Sequence, residues 1–300
     1  MWGITAMADV WGWFADPLEF EFMQRALLAV ALVGVVSAVV GAFVVVRGMA
    51  FIGDALAHSS FAGVAASFAL GTSIYLGALV AALATALGIA FISQRGRLRF
   101  DTAIGVLFVG MFALGIVIVS RQENYTVDLF SFVFGNVLGV SWNDLWLMAG
   151  LSALVVVLVA AFYKELLFTA YDPTVAAAAG IPTRMLEYGL LVLVALSTVV
   201  ALQAVGIVLV IAMLVTPAAT ASLLVRRLHL VIFVGVAVAL VSGVVGLYVS
   251  YHAEVAAGAS VVLVATAFFI IALLFAPRRG VVARWRLDRV RNDRLERAVP

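Results

Sequence analysis

Long apolar runs dominate this 300-residue chain and constrain its fold more than any other feature. Each is long enough, or nearly so, to cross about 30 Å of hydrocarbon as a helix. The runs cover residues 26–46, 51–70, 74–92, 103–119, 145–162, 185–202, 205–224, 230–250 and 257–275. The sequence therefore predicts an all-α fold, a polytopic transmembrane helical bundle of about nine spans.

The composition supports a membrane protein. Hydrophobic residues make up 66% of the chain and charged residues only 11%, whereas soluble domains carry about 25% charged residues. The first residues include acids and lack the basic start of a signal peptide. Cysteine is absent, which excludes disulfides and thiolate metal sites. The net charge of +2 is small, and we expect no nucleic-acid partner.

Three shorter regions complete the predicted organisation. We expect residues 1–25 to form an extracytoplasmic N-terminal amphipathic segment, residues 26–277 a transmembrane domain, and residues 278–300 a basic cytoplasmic tail. Within the second region, residues 127–140 are short for a span and favour a re-entrant or interfacial helix. No internal repeat is visible, so an inverted-repeat carrier architecture is not predicted.

The positions of the basic residues predict the orientation of the chain. Nine alternating crossings put 16 of the 18 lysines and arginines on one side. Only Arg25 and Arg121 fall on the other side. Because basic residues are retained on the cytoplasmic side, we expect the N-terminus outside and the C-terminus in the cytoplasm.

Asp54 and His58 are the most informative polar residues inside an apolar run. A charged group at the bilayer centre costs roughly 2.5–3.5 kcal/mol on insertion scales, so an intramembrane ionisable residue indicates a functional site. At i and i+4 both side chains project from one helix face. Their oxygen and imidazole donors suit manganese, iron or zinc. An intrahelical hydrogen bond that merely makes the pair tolerable is the alternative.

Small residues flank this pair. Gly53, Ala57 and Ser60 recur at three- and four-residue spacing, which permits close approach of another helix. We expect this face to meet the same face of a second copy of the chain.

A second pattern predicts a short helix in a cytoplasmic loop. Asp172 is suited to the N-cap, Pro173 to the first helical position and Gly180 to the position after the C-cap, with Thr174 and Ala177 between them. Such a helix lies where a partner protein can press on it. A linker helix without a partner is the alternative.

Other features predict less chemistry. Pro217, inside a run, favours a helix kink, while Gln203, His229 and His252 sit at loop edges and are expected to be solvated. The sequence contains no GxxxxGK[ST], HExxH or GxSxG motif. It therefore lacks a P-loop for ATP and the signatures of an intramembrane metalloprotease or a serine hydrolase.

In their order along the chain, these stretches and several others resemble the membrane permease subunit of ABC importers for manganese, zinc or iron(II). The similarity covers residues 18–277. The matching segments are 22–27, 47–49, 53–55 with His58, 127–129, 134–136, 172–173, 180–182, 217–220 and 261–266. Two segments depart from the family pattern: Ala62 stands where relatives often have a proline, and residues 251–254 differ from the usual acidic-proline turn.

The resemblance implies a transport subunit that is not itself an enzyme and binds no permanent cofactor. It implies two cytoplasmic ABC ATPase subunits, a second permease copy as a homodimer or a paired paralogue, and an extracytoplasmic metal-binding protein. Asp54 and His58 would line the metal path at the dimer axis, and residues 172–180 would be the coupling helix. The implied location is the cytoplasmic (inner) membrane.

Two other functions compete with an ATP-driven permease. A proton- or ion-coupled secondary carrier would use Asp54 and His58 as a relay. It would have no need of a docking helix. An intramembrane hydrolase using His58 with Ser59 or Ser60 is disfavoured, because adjacent helical residues point about 100° apart.

Overall fold

The computed structural model describes residues 16–95, 98–121, 137–276 and 280, apart from the side chains of residues 203–205, 207 and 208. This part of the chain is helical and contains no strand, which confirms the predicted all-α fold. The helices are α1 (Glu21–Val46), α2 (Ile52–Leu70), α3 (Ile74–Arg95), α4 (Phe100–Ser120), α5 (Trp142–Ala161), α6 (Tyr163–Tyr171), α7 (Pro173–Ala178), α8 (Thr183–Leu224), α9 (Leu228–Ala253) and α10 (Ala257–Phe275).

Most of the predicted spans are long, apolar helices. Seven helices are long and apolar enough to cross a membrane: α1, α3, α4, α5, α9, α10 and the Thr183–Leu202 part of α8. The predicted run 257–275 coincides with α10, and the other six helices extend the predicted runs by a few residues. Helices suit this environment because they pair their own backbone groups where lipid offers no partner.

The 19-residue α2 is not among these seven because its polar side chains lower its hydropathy. The bundle shields it instead. Thirteen of its residues are buried, and it packs against α3, α4 and α8. By contrast, only 17% of the apolar core of α4 is buried, against 72% for α1.

Helix α8 consists of two segments that meet at Gly206, whose backbone angles are φ 74° and ψ 173°. Thr183 and Glu187 lie beside the end of α1, around a shared cavity. Further along, Met213 packs near Gly34 and Ala218 near Gly41. The Leu209–Leu224 segment is therefore parallel to α1 and ends near the end of α1. The chain therefore reverses direction at Gly206. This confirms the predicted break between the sixth and seventh runs and moves it by a few residues.

Two faces of the bundle follow from this topology. The first, called the docking face below, holds the end of α1, the starts of α4 and α8, and the helices α6 and α7. The opposite face is tied together by side chains of three helices. There Trp142 Nε1 donates to Glu21 Oε1 over 2.8 Å, and Tyr75 OH donates to Asp144 Oδ1 over 3.0 Å. Arg47, Arg99 and Arg184 lie at the docking face, as the charge pattern predicted for one common side.

Several predicted features lie partly or wholly outside the described residues. Of the amphipathic segment 1–25, residues 16–19 form one helical turn before a bend at Phe20. Of the proposed re-entrant helix 127–140, only the 3₁₀ turn Val137–Gly139 is described. The basic tail 278–300 is described only at Gly280. At Pro217 the dihedral angles of α8 remain helical, and a kink there stays a prediction.

Candidate functional site

The Asp54–His58 pair sits near the start of α2. His58 Nδ1 lies 2.8 Å from Asp54 Oδ1 and 3.0 Å from the backbone oxygen of Asp54. The side chain of His58 is 27% exposed and that of Asp54 32% exposed, although most neighbouring α2 residues are buried. The pair thus forms the one accessible polar strip on the described length of this otherwise buried helix.

Helix geometry explains why the pair forms. Asp54 occupies the first turn of α2, where a carboxylate is stabilised by the positive end of the helix dipole and by the unpaired N–H groups. His58 follows one turn later, within reach of the carboxylate. The local sequence therefore fixes both the Asp54–His58 contact and its position close to the docking face.

Two phenylalanines of α4 hold the imidazole from the other side. The ring of Phe108 lies 5.2 Å from the His58 ring, centroid to centroid, and that of Phe112 lies 5.6 Å away. Both contacts are edge-to-face, with interplanar angles of 85° and 77°. Because this arrangement is favourable for aromatic rings, Phe108 and Phe112 restrict the rotation of the imidazole and leave Nδ1 against Asp54.

This geometry leaves His58 Nε2 as a free electron-pair donor, since Nδ1 contacts the carboxylate. A carboxylate that accepts from one imidazole nitrogen while the other binds a metal is a recurrent arrangement in metal sites. One chain offers few further ligands. Among the described residues no group of three or more His, Cys, Asp or Glu side chains could hold a metal ion. The pair from one copy is therefore an incomplete site.

The small residues of α2 do not face a second copy, so that expectation is wrong. Gly53, Ala57 and Ser60 are buried inside their own chain, and a side chain at Gly53 would collide with Leu214 of α8. Spacing alone indicates that a helix face permits close approach, but not which helix approaches it. The accessible edge of α2 is the Asp54–His58 strip itself.

The short helix α7 has the caps that the sequence predicts. Asp172 Oδ1 accepts hydrogen bonds from the N–H groups of Thr174, at 3.0 Å, and Val175, at 2.9 Å. Pro173 occupies the first turn. Gly180 has φ 82°, and its N–H donates to Ala177 O while that of Ile181 donates to Ala176 O, which is the Schellman motif.

Most of α7 is exposed. Only Ala176 is buried, whereas Val175 is half exposed and Asp172, Pro173, Thr174 and Ala177 are also exposed. The helix is thus held at its ends by its own caps and presents a mostly small and apolar surface at the docking face.

Sequence reasoning missed two parts of this site. Phe108 and Phe112 lie in an apolar run some fifty residues from His58, where phenylalanine gives no signal that separates an imidazole contact from a lipid contact. Arg47 belongs to the segment 47–49 of the family resemblance, but nothing in the sequence indicates that its guanidinium reaches Thr169, 122 residues further along the chain. His229 and His252 are exposed near helix ends, as predicted.

The chain is similar in sequence to a known protein family and to several named proteins. Residues 19–276 match the model of the ABC 3 transport family. The chain is 43% identical over 287 residues to a Halalkalibacterium halodurans protein named manganese transport system membrane protein MntC, covering 95% of this chain and 98% of that protein. It is 36% identical over 265 residues to the Yersinia pestis chelated iron transport system membrane protein YfeD, covering 87% and 88%.

A solved structure is similar over nearly the whole chain. The structure titled PsaBC from Streptococcus pneumoniae in complex with Fab superposes with a TM-score of 0.80 at 39% identity, covering 90% of this chain and 97% of that chain. The chain therefore shares its fold with that solved structure.

Proposed function

Because the chain belongs to the ABC 3 transport family, we propose that it is the membrane permease subunit of an ATP-driven importer for a divalent transition metal. The observation that carries this proposal is the Asp54–His58 pair. It supplies an oxygen and an imidazole nitrogen on an accessible strip of a helix that is otherwise buried in the bundle.

Two copies of the chain would complete the metal site. One pair gives at most three donor atoms, too few to replace the hydration shell of a divalent ion. Two pairs related by a two-fold axis would supply four ligand side chains, and the charge of the ion would offset the carboxylates that lipid disfavours. The exposed surface of α4 next to the pair supports this arrangement, since α4 is the least buried of the apolar spans. A paired paralogue would serve as well as a second identical copy.

Helix α7 is the proposed contact with a cytoplasmic ATPase, two copies of which would serve the pair of permeases. The chain itself carries no P-loop, so ATP must be hydrolysed by a separate subunit. The exposed, capped α7 and its position on the arginine-rich face support this role. The permease would lie in the cytoplasmic membrane with that face in the cytoplasm. The opposite face would then receive an extracytoplasmic metal-binding protein.

Manganese is the proposed cargo, with iron as the next candidate and zinc as the third. The relatives compared above are named for manganese and for chelated iron. A carboxylate and an imidazole suit all three ions, whereas copper(I) prefers sulfur. The ligand set is small, which favours release of the ion as well as its capture.

Transport in liposomes tests the proposal. The permease, its ATPase and its metal-loaded binding protein would be reconstituted, and uptake of radioactive manganese(II), iron(II) and zinc(II) compared. We expect manganese uptake that requires ATP and disappears when the ATPase is inactivated. Uptake driven by a proton gradient and indifferent to the ATPase would instead identify a secondary carrier.

A mixed-subunit experiment tests whether the two copies share one site. Wild-type and Asp54→Ala chains carrying different tags would be co-expressed and the mixed dimers purified through both tags. A shared site predicts that mixed dimers lose nearly all uptake. Half of the wild-type uptake would mean that each copy carries its own site.

A further inference from the structure

A cavity of about 560 Å³ opens at the docking face between the end of α1 and the starts of α4, α7 and α8. Both signs of charge line it, from Arg47, Arg99, Asp101 and Glu187. On one side of the cavity is the turn between α1 and α2, the helix that carries Asp54 and His58. On the other side is the end of α6, which leads into α7. One hydrogen bond crosses the cavity.

That hydrogen bond belongs to Arg47. Its Nη2 donates to the backbone oxygen of Thr169 over 3.3 Å. Thr169 lies in the last turn of α6, where backbone oxygens have no partner within the helix. A cation is also favoured there by the helix dipole.

The guanidinium of Arg47 is half-buried, and it remains charged. Burial lowers the pKa of Arg47 from its ordinary value, and the nearby carboxylate of Glu187 opposes that shift. Glu187 in turn accepts a hydrogen bond of 3.1 Å from Gln94 Nε2 at the end of α3. Arg47 therefore sits where four helices meet.

The turn between Arg47 and the metal pair is stiff. The N–H groups of Arg47, Gly48 and Met49 donate to backbone oxygens in the last turn of α1, and that of Ile52 donates to Met49 O. Met49 and Ile52 are buried. Asp54 follows Arg47 by seven positions, and a hydrogen-bonded turn and the first turn of α2 fill that interval. A displacement of Arg47 is thus carried to Asp54 rather than absorbed by a loop.

The connection on the other side is equally short. Asp172, the N-cap of α7, follows Thr169 by three residues, and its N–H donates to Phe168 O over 3.1 Å. The end of α6 and the start of α7 therefore move together. Among the described hydrogen bonds, the one from Arg47 to Thr169 joins this unit to the start of the turn before α2.

We propose that Arg47 is a positioning residue that couples α7 to the Asp54–His58 pair. When the ATPase displaces α7, the Arg47–Thr169 contact pulls or releases the turn before α2 and so changes the geometry of the metal ligands. This inference rests on the proposed function, since it needs an ATPase at α7 and a metal at Asp54 and His58. A simpler role, in which Arg47 only caps α6, predicts altered stability without altered coupling.

The test uses the complete transporter in liposomes, with manganese(II) as the probe. Arg47→Met keeps the length of the side chain but removes the donors. Arg99→Met is the matched control, because Arg99 lines the same cavity with an exposed side chain. Three quantities would be measured for each variant: manganese affinity of the detergent-solubilised transporter, manganese stimulation of ATP hydrolysis, and manganese uptake per ATP hydrolysed.

For Arg47→Met we expect uptake per ATP to fall at least roughly fivefold, the lower end of typical coupling between sites, with manganese affinity nearly unchanged. Manganese should no longer stimulate ATP hydrolysis. The Arg99→Met transporter should behave like wild type. Wild-type coupling in Arg47→Met, or an equal loss in both variants, would overturn the proposal.

If Arg47→Met does not assemble, Arg47→Lys decides. Lysine keeps the charge but lacks the guanidinium Nη2 that donates to Thr169 O, so uptake per ATP should still fall. Wild-type coupling would overturn the proposal. The wild-type transporter tests the proposed function separately. Absence of ATP-driven manganese uptake in wild type would contradict that function, whereas coupled transport in wild type and in both Arg47 variants would contradict only the assignment of Arg47.

Discussion

The metal pair and helix α7 differ in how much of each is complete within one chain. Helix α7 has its own N-cap, its own C-terminal Schellman motif and an exposed surface. The Asp54–His58 pair is joined by one contact between its side chains, and the described residues of the chain supply no group of further ligands that a divalent ion needs. The difference teaches that helix α7 is completed by local sequence, whereas the metal pair depends on distant helices and, in our proposal, on a second copy.

Loss of either proposed metal ligand should have the largest effect on transport. We expect Asp54→Ala and His58→Ala to lower manganese uptake about 100-fold or more, because even the supports of metal ligands are worth 10–100-fold. Uptake of radioactive manganese by cells expressing each variant measures the effect. His252→Ala, an imidazole at an exposed helix end, is the control and should retain uptake. Normal uptake by both ligand variants would remove the pair from the transport path.

A bulky residue at Gly180 should impair helix α7 and leave the Asp54–His58 pair intact. The backbone there has φ 82°, which costs a β-branched residue about 1–3 kcal/mol. We expect Gly180→Val to lower manganese-stimulated ATP hydrolysis several-fold while manganese binding stays intact. Gly180→Asn, which tolerates this conformation, should behave like wild type. Weakened manganese binding in Gly180→Val would show that helix α7 and the Asp54–His58 pair do not function independently.

Removal of the N-cap should have a smaller effect of the same kind. Asp172→Ala deletes the acceptor for the Thr174 and Val175 N–H groups, which costs about 1 kcal/mol of helix stability. We expect a several-fold weaker affinity of the permease for the ATPase, measured with the purified subunits in detergent. Asp172→Ser keeps a capping oxygen and should restore binding. Equal affinity in the alanine and serine variants would mean that the cap does not support docking.

The smallest expected effect concerns the aromatic support of the imidazole. Phe112→Leu removes one edge-to-face contact with His58, of the kind worth about 0.5–1.5 kcal/mol. We expect manganese affinity to fall roughly two- to tenfold, with ATPase docking unchanged. Phe233→Leu, an exposed phenylalanine of α9, is the matched control. A loss as large as that of His58→Ala would point to a role for Phe112 beyond orientation of the ring.

How much of each region could be predicted follows from the range of its interactions. Every bond that shapes α7 joins residues within five positions, so Asp172, Pro173 and Gly180 predicted the helix and both caps. The same holds for the i, i+4 contact of Asp54 and His58. Local patterns of this kind are predictable because contacts between residues close in sequence do not depend on how distant helices pack.

The contacts that could not be predicted join distant parts of the chain. Phe108 and Phe112 meet His58 because α4 packs against α2. Arg47 meets Thr169 although helices α2 to α5 lie between them in the sequence. Gly53, Ala57 and Ser60 predicted close approach but not the neighbour, because a small residue accepts any helix backbone. Lipid-facing and protein-facing sides of an apolar helix also look alike in sequence, which leaves its partners undetermined.

The reversal at Gly206 has a consequence for how the ribosome and the insertion machinery must handle this chain. From Tyr188 to Val225 there is no charged residue, and the turn offers no hydrophilic loop to be carried across the membrane. The Leu209–Leu224 segment is short for an independent stop signal. We therefore expect the two halves of α8 to enter the membrane together as a preformed hairpin. Arg184 on one side and Arg226 with Arg227 on the other would hold both ends in the compartment where they were made.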